Sequence, residues 1–66
     1  MQLFINGKSA ECVDSFTVSA LIEQQGLLGQ RLAVELNGEI VPRSRHPQTL
    51  LKNGDRLEII HAVGGG

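Results

Sequence analysis

Residues 16–26, Phe-Thr-Val-Ser-Ala-Leu-Ile-Glu-Gln-Gln-Gly, carry the one clear helical pattern in the chain. Thr17 is a good N-cap, because its hydroxyl accepts from the first free N–H groups of a helix. Phe16 and Leu21 stand at the spacing of a hydrophobic staple. Val18, Leu21, Ile22 and Gln25 fall on one helical face, and three of them are apolar. Gly26 supplies a left-handed stop. The helix is therefore about nine residues long, too short to be stable alone. It must pack on something, and the flanking segments all read as strands.

Upstream, Gln2–Asn6 is β-prone and Asn6-Gly7 follows it. Asn-Gly between apolar runs is a strong hairpin signal, since both residues tolerate positive φ. The return strand is expected over Lys8–Val13, with Asp14-Ser15 breaking it. Downstream, Leu32, Val34 and Leu36 alternate with Ala33, Glu35 and Asn37, the period of a strand with one buried face. Asn37-Gly38 is a second turn. Ile40-Val41 is a short strand stopped by Pro42. Arg43–Gln48 is polar, carries a second proline, and reads as irregular surface chain. Leu50-Leu51 is expected to touch the core. Asn53-Gly54-Asp55 is a third turn. Arg56–Ala62 is the last strand, with Leu57 and Ile59 facing one way and Glu58 and Ile60 the other.

The order is β-β-α-β-(short β)-β. One helix on one face of a mixed sheet is the economical packing. The first and last strands are the most apolar and belong in the middle of the sheet. They run parallel, with the helix in the connection between them. This is an α+β fold, a β-grasp or ubiquitin-like roll of four to five strands. Residues 1–63 form the domain and Gly64–Gly66 a tail that nothing packs, expected to be mobile when free.

Sixty-six residues leave no room for a second domain. Six Lys and Arg against seven Asp and Glu give a net charge of −1, which argues against a nucleic-acid binder. The apolar share of 41% is globular, and no apolar run approaches a membrane span. A single Cys and no visible export signal point to a cytoplasmic protein. A core this small leaves little space for an enclosed active site, so a stand-alone enzyme is not expected. Cys12, His46 and His61 lack metal-ligand spacing. Cys12 reads as a small hydrophobe of a strand. His46 reads as a solvated loop residue. His61, at the end of the last strand, reads as structural, although its place near the tail would let it touch a partner. No phosphate-loop, dinucleotide or nucleophile-elbow motif is present.

The anomaly is the ending Gly64-Gly65-Gly66. Glycines contribute nothing to a core, and their freedom makes such a tail costly to order. A frayed end or a tag remnant fits poorly, because remnants usually bring Ser, Leu, Glu or His. A glycine tail is thin enough to thread a narrow channel in another protein. Its last carboxyl has no side chain beside it to block attack. A carboxylate is a poor electrophile, but ATP can convert it to an acyl-adenylate, from which a sulfur or nitrogen nucleophile displaces AMP. The reactive group on this reading is the Gly66 carboxyl, and the folded domain is its handle.

The whole chain resembles the ThiS family of ubiquitin-like sulfur carriers of thiamine biosynthesis. The resemblance rests on Met1–Gly7 (MQLFING), Thr17-Val18 followed by Leu21, and Leu32–Asn37 (LAVELN). It continues through Ile40–Arg43 (IVPR), Asn53-Gly54-Asp55 and the ending Glu58–Gly66 (EIIHAVGGG). It implies that a ThiF-like enzyme uses ATP to adenylate Gly66, with Gly65 and Gly64 forming the tail beside it. Sulfur drawn from cysteine by a desulfurase then makes a thiocarboxylate, which a ThiG-like thiazole synthase consumes. The carrier itself, expected to be a monomer when free, would hold no catalytic residue, metal or cofactor. The small subunit of molybdopterin synthase shares fold and chemistry but tends to be longer, and a covalent protein modifier shares the activation step.

Partner contact needs a surface. With Leu3, Ile5, Leu57 and Ile59 inward, Phe4 and Ile60 point to the open face of the sheet. They are either a docking patch or ordinary exposed apolar residues. Arg43 and Arg45 are either solvated loop charges or partners for an acidic surface.

Overall fold

A computed structural model of the chain describes residues 1–61. The expected domain boundary at Val63 and the Gly64–Gly66 tail lie outside the described residues. Strand β1 (Gln2–Ile5) turns into β2 (Lys8–Glu11). Helix α1 (Val18–Gln24) follows, then β3 (Leu32–Leu36), β4 (Glu39–Val41), a 3-10 helix (Arg43–Gln48) and β5 (Arg56–His61). The sheet order is β2-β1-β5-β3-β4. β1 and β5 run parallel and the remaining neighbours antiparallel, so the expected mixed sheet with the two terminal strands inside it is present.

Local chemistry explains both hairpins. Asn6 and Gly7 have φ of 51° and 83°, and Asn37 and Gly38 have 51° and 87°. Positive φ at both central residues is the type I′ turn, whose twist suits paired strands. Thr17 caps α1 by accepting from the Ala20 N–H at 3.1 Å. Leu3, Val18, Leu21, Val34 and Leu57 are fully buried between α1 and one face of the sheet. Phe16 packs against this cluster, as its staple position implies. Gln25 leaves the helical face: it is the C-cap and lies in solvent.

Four further expectations need correction. The return strand stops at Glu11 rather than Val13. There the chain turns so that Cys12 is buried, donating its N–H to Met1 O at 2.8 Å, while Val13 is 69% exposed. Arg43–Gln48 is a 3-10 helix rather than irregular chain, and it packs on α1. His46 within it is buried, not solvated, and donates from Nε2 to Val41 O at 3.1 Å. Of Leu50 and Leu51, only Leu51 is buried; Leu50 lies outward.

Two side-chain junctions hold β5. Asn6 Oδ1 accepts from Ile59 N–H at 2.8 Å, extending the β1–β5 ladder beyond the last β1 residue. Asp55, also buried, accepts from Lys52 N–H at 2.7 Å and from Asn37 Nδ2 at 3.0 Å. Asn37 Oδ1 in turn accepts from Arg56 N–H at 3.0 Å. The β3–β4 turn is thereby fastened to the start of β5.

Candidate functional site

Two adjoining surfaces surround the place where β5 ends at His61. One is the open face of the sheet. The ladder register opposes Phe4 to Arg56, Ala33 to Ile60, Glu35 to Glu58 and Glu35 to Ile40. All of these alternate with the core residues Leu3, Val34, Leu57 and Ile59, so they share the face that α1 does not cover. Phe4 and Ile60 are therefore on one face, as the alternation requires. They do not touch in register: Ile60 stands four residues beyond Arg56, about 13 Å along the strand.

Phe4 is half-buried, and the Arg56 guanidinium carbon lies 5.3 Å from its ring centre. That is cation–π distance, and it covers part of the ring. Ile60 and Ile40 are 50% and 62% exposed. Between these apolar groups Glu35 and Glu58 face each other directly, a like-charge pair that costs stability in a sheet. Among the described residues no Lys or Arg reaches either carboxylate within 4 Å.

The second surface is a cleft lined by Arg31, Leu32, Ala33, Arg43, Ile60 and His61. Its position follows from topology. β3 is antiparallel to β5 with Leu32 opposite His61, so the start of β3 meets the end of β5. Arg43, at the start of the 3-10 helix, lines the cleft as well. Arg45 is not part of it: that residue lines a separate depression with Leu36, Ile40 and Thr49. Arg31 carries no motif in the sequence. The signal that finds it is the antiparallel register, which brings the residue before β3 to the root of the tail.

Gly64, Gly65 and Gly66, the expected reactive tail, lie outside the described residues. Among the described residues no three His, Cys, Asp or Glu gather as metal ligands. Cys12 is buried, with its Sγ 4.0 Å from Gln24 Oε1. Among them also, no helix is long and apolar enough to cross a membrane.

The model of the ThiS family matches residues 3–66. The sulfur carrier protein ThiS of Escherichia coli is 30% identical over 66 residues, covering all of both chains. That of Bacillus subtilis is 35% identical over 65 residues, covering 97% of this chain and 98% of that one. A protein named thiazole synthase from Paramagnetospirillum magneticum is 44% identical over all 66 residues, and one from Magnetococcus marinus is 29% identical over the same length. The chain spans 20% of each of these two proteins. Among solved structures, the crystal structure of the thiamine biosynthesis protein ThiS from Geobacter metallireducens superimposes with a TM-score of 0.87 at 33% identity, covering all of both chains. The mixed five-strand sheet with one main helix is the β-grasp of that structure.

Proposed function

The chain belongs to the ThiS family, and from that premise we propose that it carries sulfur for thiamine biosynthesis as a thiocarboxylate on Gly66. Carriers of this family are not enzymes; their partners supply the catalysis. The observation that carries the reading is the family match itself, which runs through Gly66, the last of three consecutive glycines.

The chemistry proceeds in two displacements. A Gly66 carboxylate oxygen attacks the α-phosphorus of ATP held by a ThiF-like enzyme, and pyrophosphate leaves. Sulfide, freed by a thiol reductant from the persulfide that a desulfurase makes from cysteine, then attacks the acyl carbon, and AMP leaves with the bonding pair, so that the thiocarboxylate remains. The absence of side chains at Gly64, Gly65 and Gly66 opens the acyl carbon to attack and lets the tail enter a narrow channel. The folded domain is the part a partner recognises. Phe4 and Ile60 on the open face are the proposed docking anchors, with the Glu35–Glu58 pair between them.

Thiazole synthase is the proposed acceptor of the sulfur. Two proteins of that name contain a segment that aligns with this entire chain and makes up a fifth of their length. A carrier-like segment within such a polypeptide supports a working link between the two activities.

The test is intact-mass spectrometry before and after incubation with an adenylating enzyme, ATP and a sulfur donor. The expected result is exchange of one terminal oxygen for sulfur, located on Gly66 by fragmentation. Location matters because oxidation of Met1 or Cys12 gives nearly the same mass change. An unmodified Gly66 beside an active enzyme refutes the reading.

A further inference from the structure

We propose that the cleft at the end of β5, with Arg31, Arg43 and His61 on its walls, seats a carboxylate-bearing loop at the mouth of the partner channel that receives the tail. The proposal rests on the sulfur-carrier reading and specifies what the partner must present.

Charge distribution is the first argument. The chain as a whole is slightly acidic, at −1. This cleft nevertheless gathers two of its six cationic side chains, and among the described residues no carboxylate lines it. Neither guanidinium has an internal acidic partner within 4 Å among the described residues. Two guanidiniums on one concavity, with no acidic partner among the described residues, create a local field opposite in sign to the chain's net charge, which steers an acidic surface to that spot.

Shape and donor chemistry are the second. Leu32, Ala33 and Ile60 supply the apolar part of the cleft's lining, and Arg31 and Arg43 line it beside them. A planar guanidinium offers paired N–H donors that match a carboxylate or a phosphate in a two-point contact. Distance decides between these two anions. Residues 62–66, drawn out in a channel, span about 17 Å. The acyl phosphate forms on Gly66, at the far end of that span. The cleft is at the near end, where the channel wall begins. It therefore meets the partner's side chains rather than the nucleotide.

Continuity is the third. Ile60 belongs both to the cleft and to the open face, so the two surfaces form one footprint around the root of the tail. The face supplies apolar contact, and the cleft supplies orientation.

The test measures thiocarboxylate formation against carrier concentration for the wild type, for Arg31→Glu with Arg43→Glu, and for Arg45→Glu as an exposed control outside the cleft. Circular dichroism melts and the neutral pair Arg31→Gln with Arg43→Gln guard against a folding defect. The double reversal is expected to raise KM about tenfold or more with kcat within about twofold, as loss of steering requires. The neutral pair should fall between, and the Arg45 variant should match the wild type. Wild-type KM should also rise from about 50 to about 500 mM KCl, more steeply than that of the double variant. A double reversal with KM within about twofold of wild type, or with the same salt slope, overturns the cleft assignment while leaving the sulfur carrier intact. A wild type that is never thiocarboxylated overturns both. Saturable binding of AMP by the free carrier, lost in the double variant, would assign the cleft to a phosphate and overturn the protein carboxylate.

Discussion

Exchanging Asn37 and Asp55 should expose how much the junction between the β3–β4 turn and β5 contributes. Asp55 accepts twice, from Lys52 N–H at 2.7 Å and from Asn37 Nδ2 at 3.0 Å, and it is only 7% exposed. In Asp55→Asn the oxygen can still serve Lys52, but the new amide N–H groups then face those of Asn37. Asn37 cannot turn over, because its Oδ1 already holds Arg56 N–H. One charge-assisted hydrogen bond is lost and two donors abut, a cost of about 2 kcal/mol. Asn37→Asp sets two carboxylates near 3 Å apart, the present Asn37–Asp55 spacing, for a similar or larger cost. The reciprocal variant, Asn37→Asp with Asp55→Asn, restores donor to acceptor throughout. Residue 37 has φ 51°, which Asp tolerates nearly as well as Asn. The double variant should therefore lie within about 1 kcal/mol of wild type, a coupling of about 3 kcal/mol. Urea unfolding at constant slope measures each variant. A 66-residue chain has roughly 3–10 kcal/mol in all, so either single variant removes a readable fraction. If the two single costs simply add in the double variant, to within about 0.5 kcal/mol, the network is not what holds the turn to β5.

Leu21→Ala empties a fully buried site between α1 and the sheet and should lower unfolding free energy by about 3 kcal/mol in the same assay. Glu58→Lys turns the repulsion with Glu35 into an attraction and should raise stability by about 0.5–1 kcal/mol while weakening recognition by the activating enzyme, read as a higher KM beside a higher melting temperature. Phe4→Ala combined with Ile60→Ala should fold normally and raise that KM about tenfold; unchanged binding by the folded double variant would remove the open face from the docking surface.

What was legible in the sequence was what neighbours in the chain determine. Asn6-Gly7 and Asn37-Gly38 state their turns because tolerance of positive φ belongs to Asn and Gly whatever packs on them. Thr17 states its helix start, and the alternation of Leu32, Val34 and Leu36 states which face is buried. The central placement of the two terminal strands followed from their apolar character, and their parallel sense from the helix in the connection between them. What escaped was set by residues distant in sequence. His46 sits in a polar run with two prolines nearby, and only the packing of that run on α1 buries it. Asp55 looked like a turn residue, yet its partner Asn37 is 18 positions away. Arg31 and His61 are brought together by strand order, so no spacing rule could pair them. The tail was conspicuous for the opposite reason: it breaks the composition rules of a core without help from any other part of the chain.

The placement of β5 also governs how the protein bears a mechanical load. Its hydrogen bonds to β1, from Phe4 N–H to Asp55 O, from Asn6 N–H to Leu57 O and from Ile59 N–H to Asn6 Oδ1, lie across the strand direction. Because β1 and β5 are parallel, tension between the first residues and the far end of β5 makes them slide past each other. Those bonds must then yield together in shear, whereas an antiparallel terminal pair would open one bond at a time. A partner that grips the chain beyond His61 can pull without unravelling the domain to which it is attached.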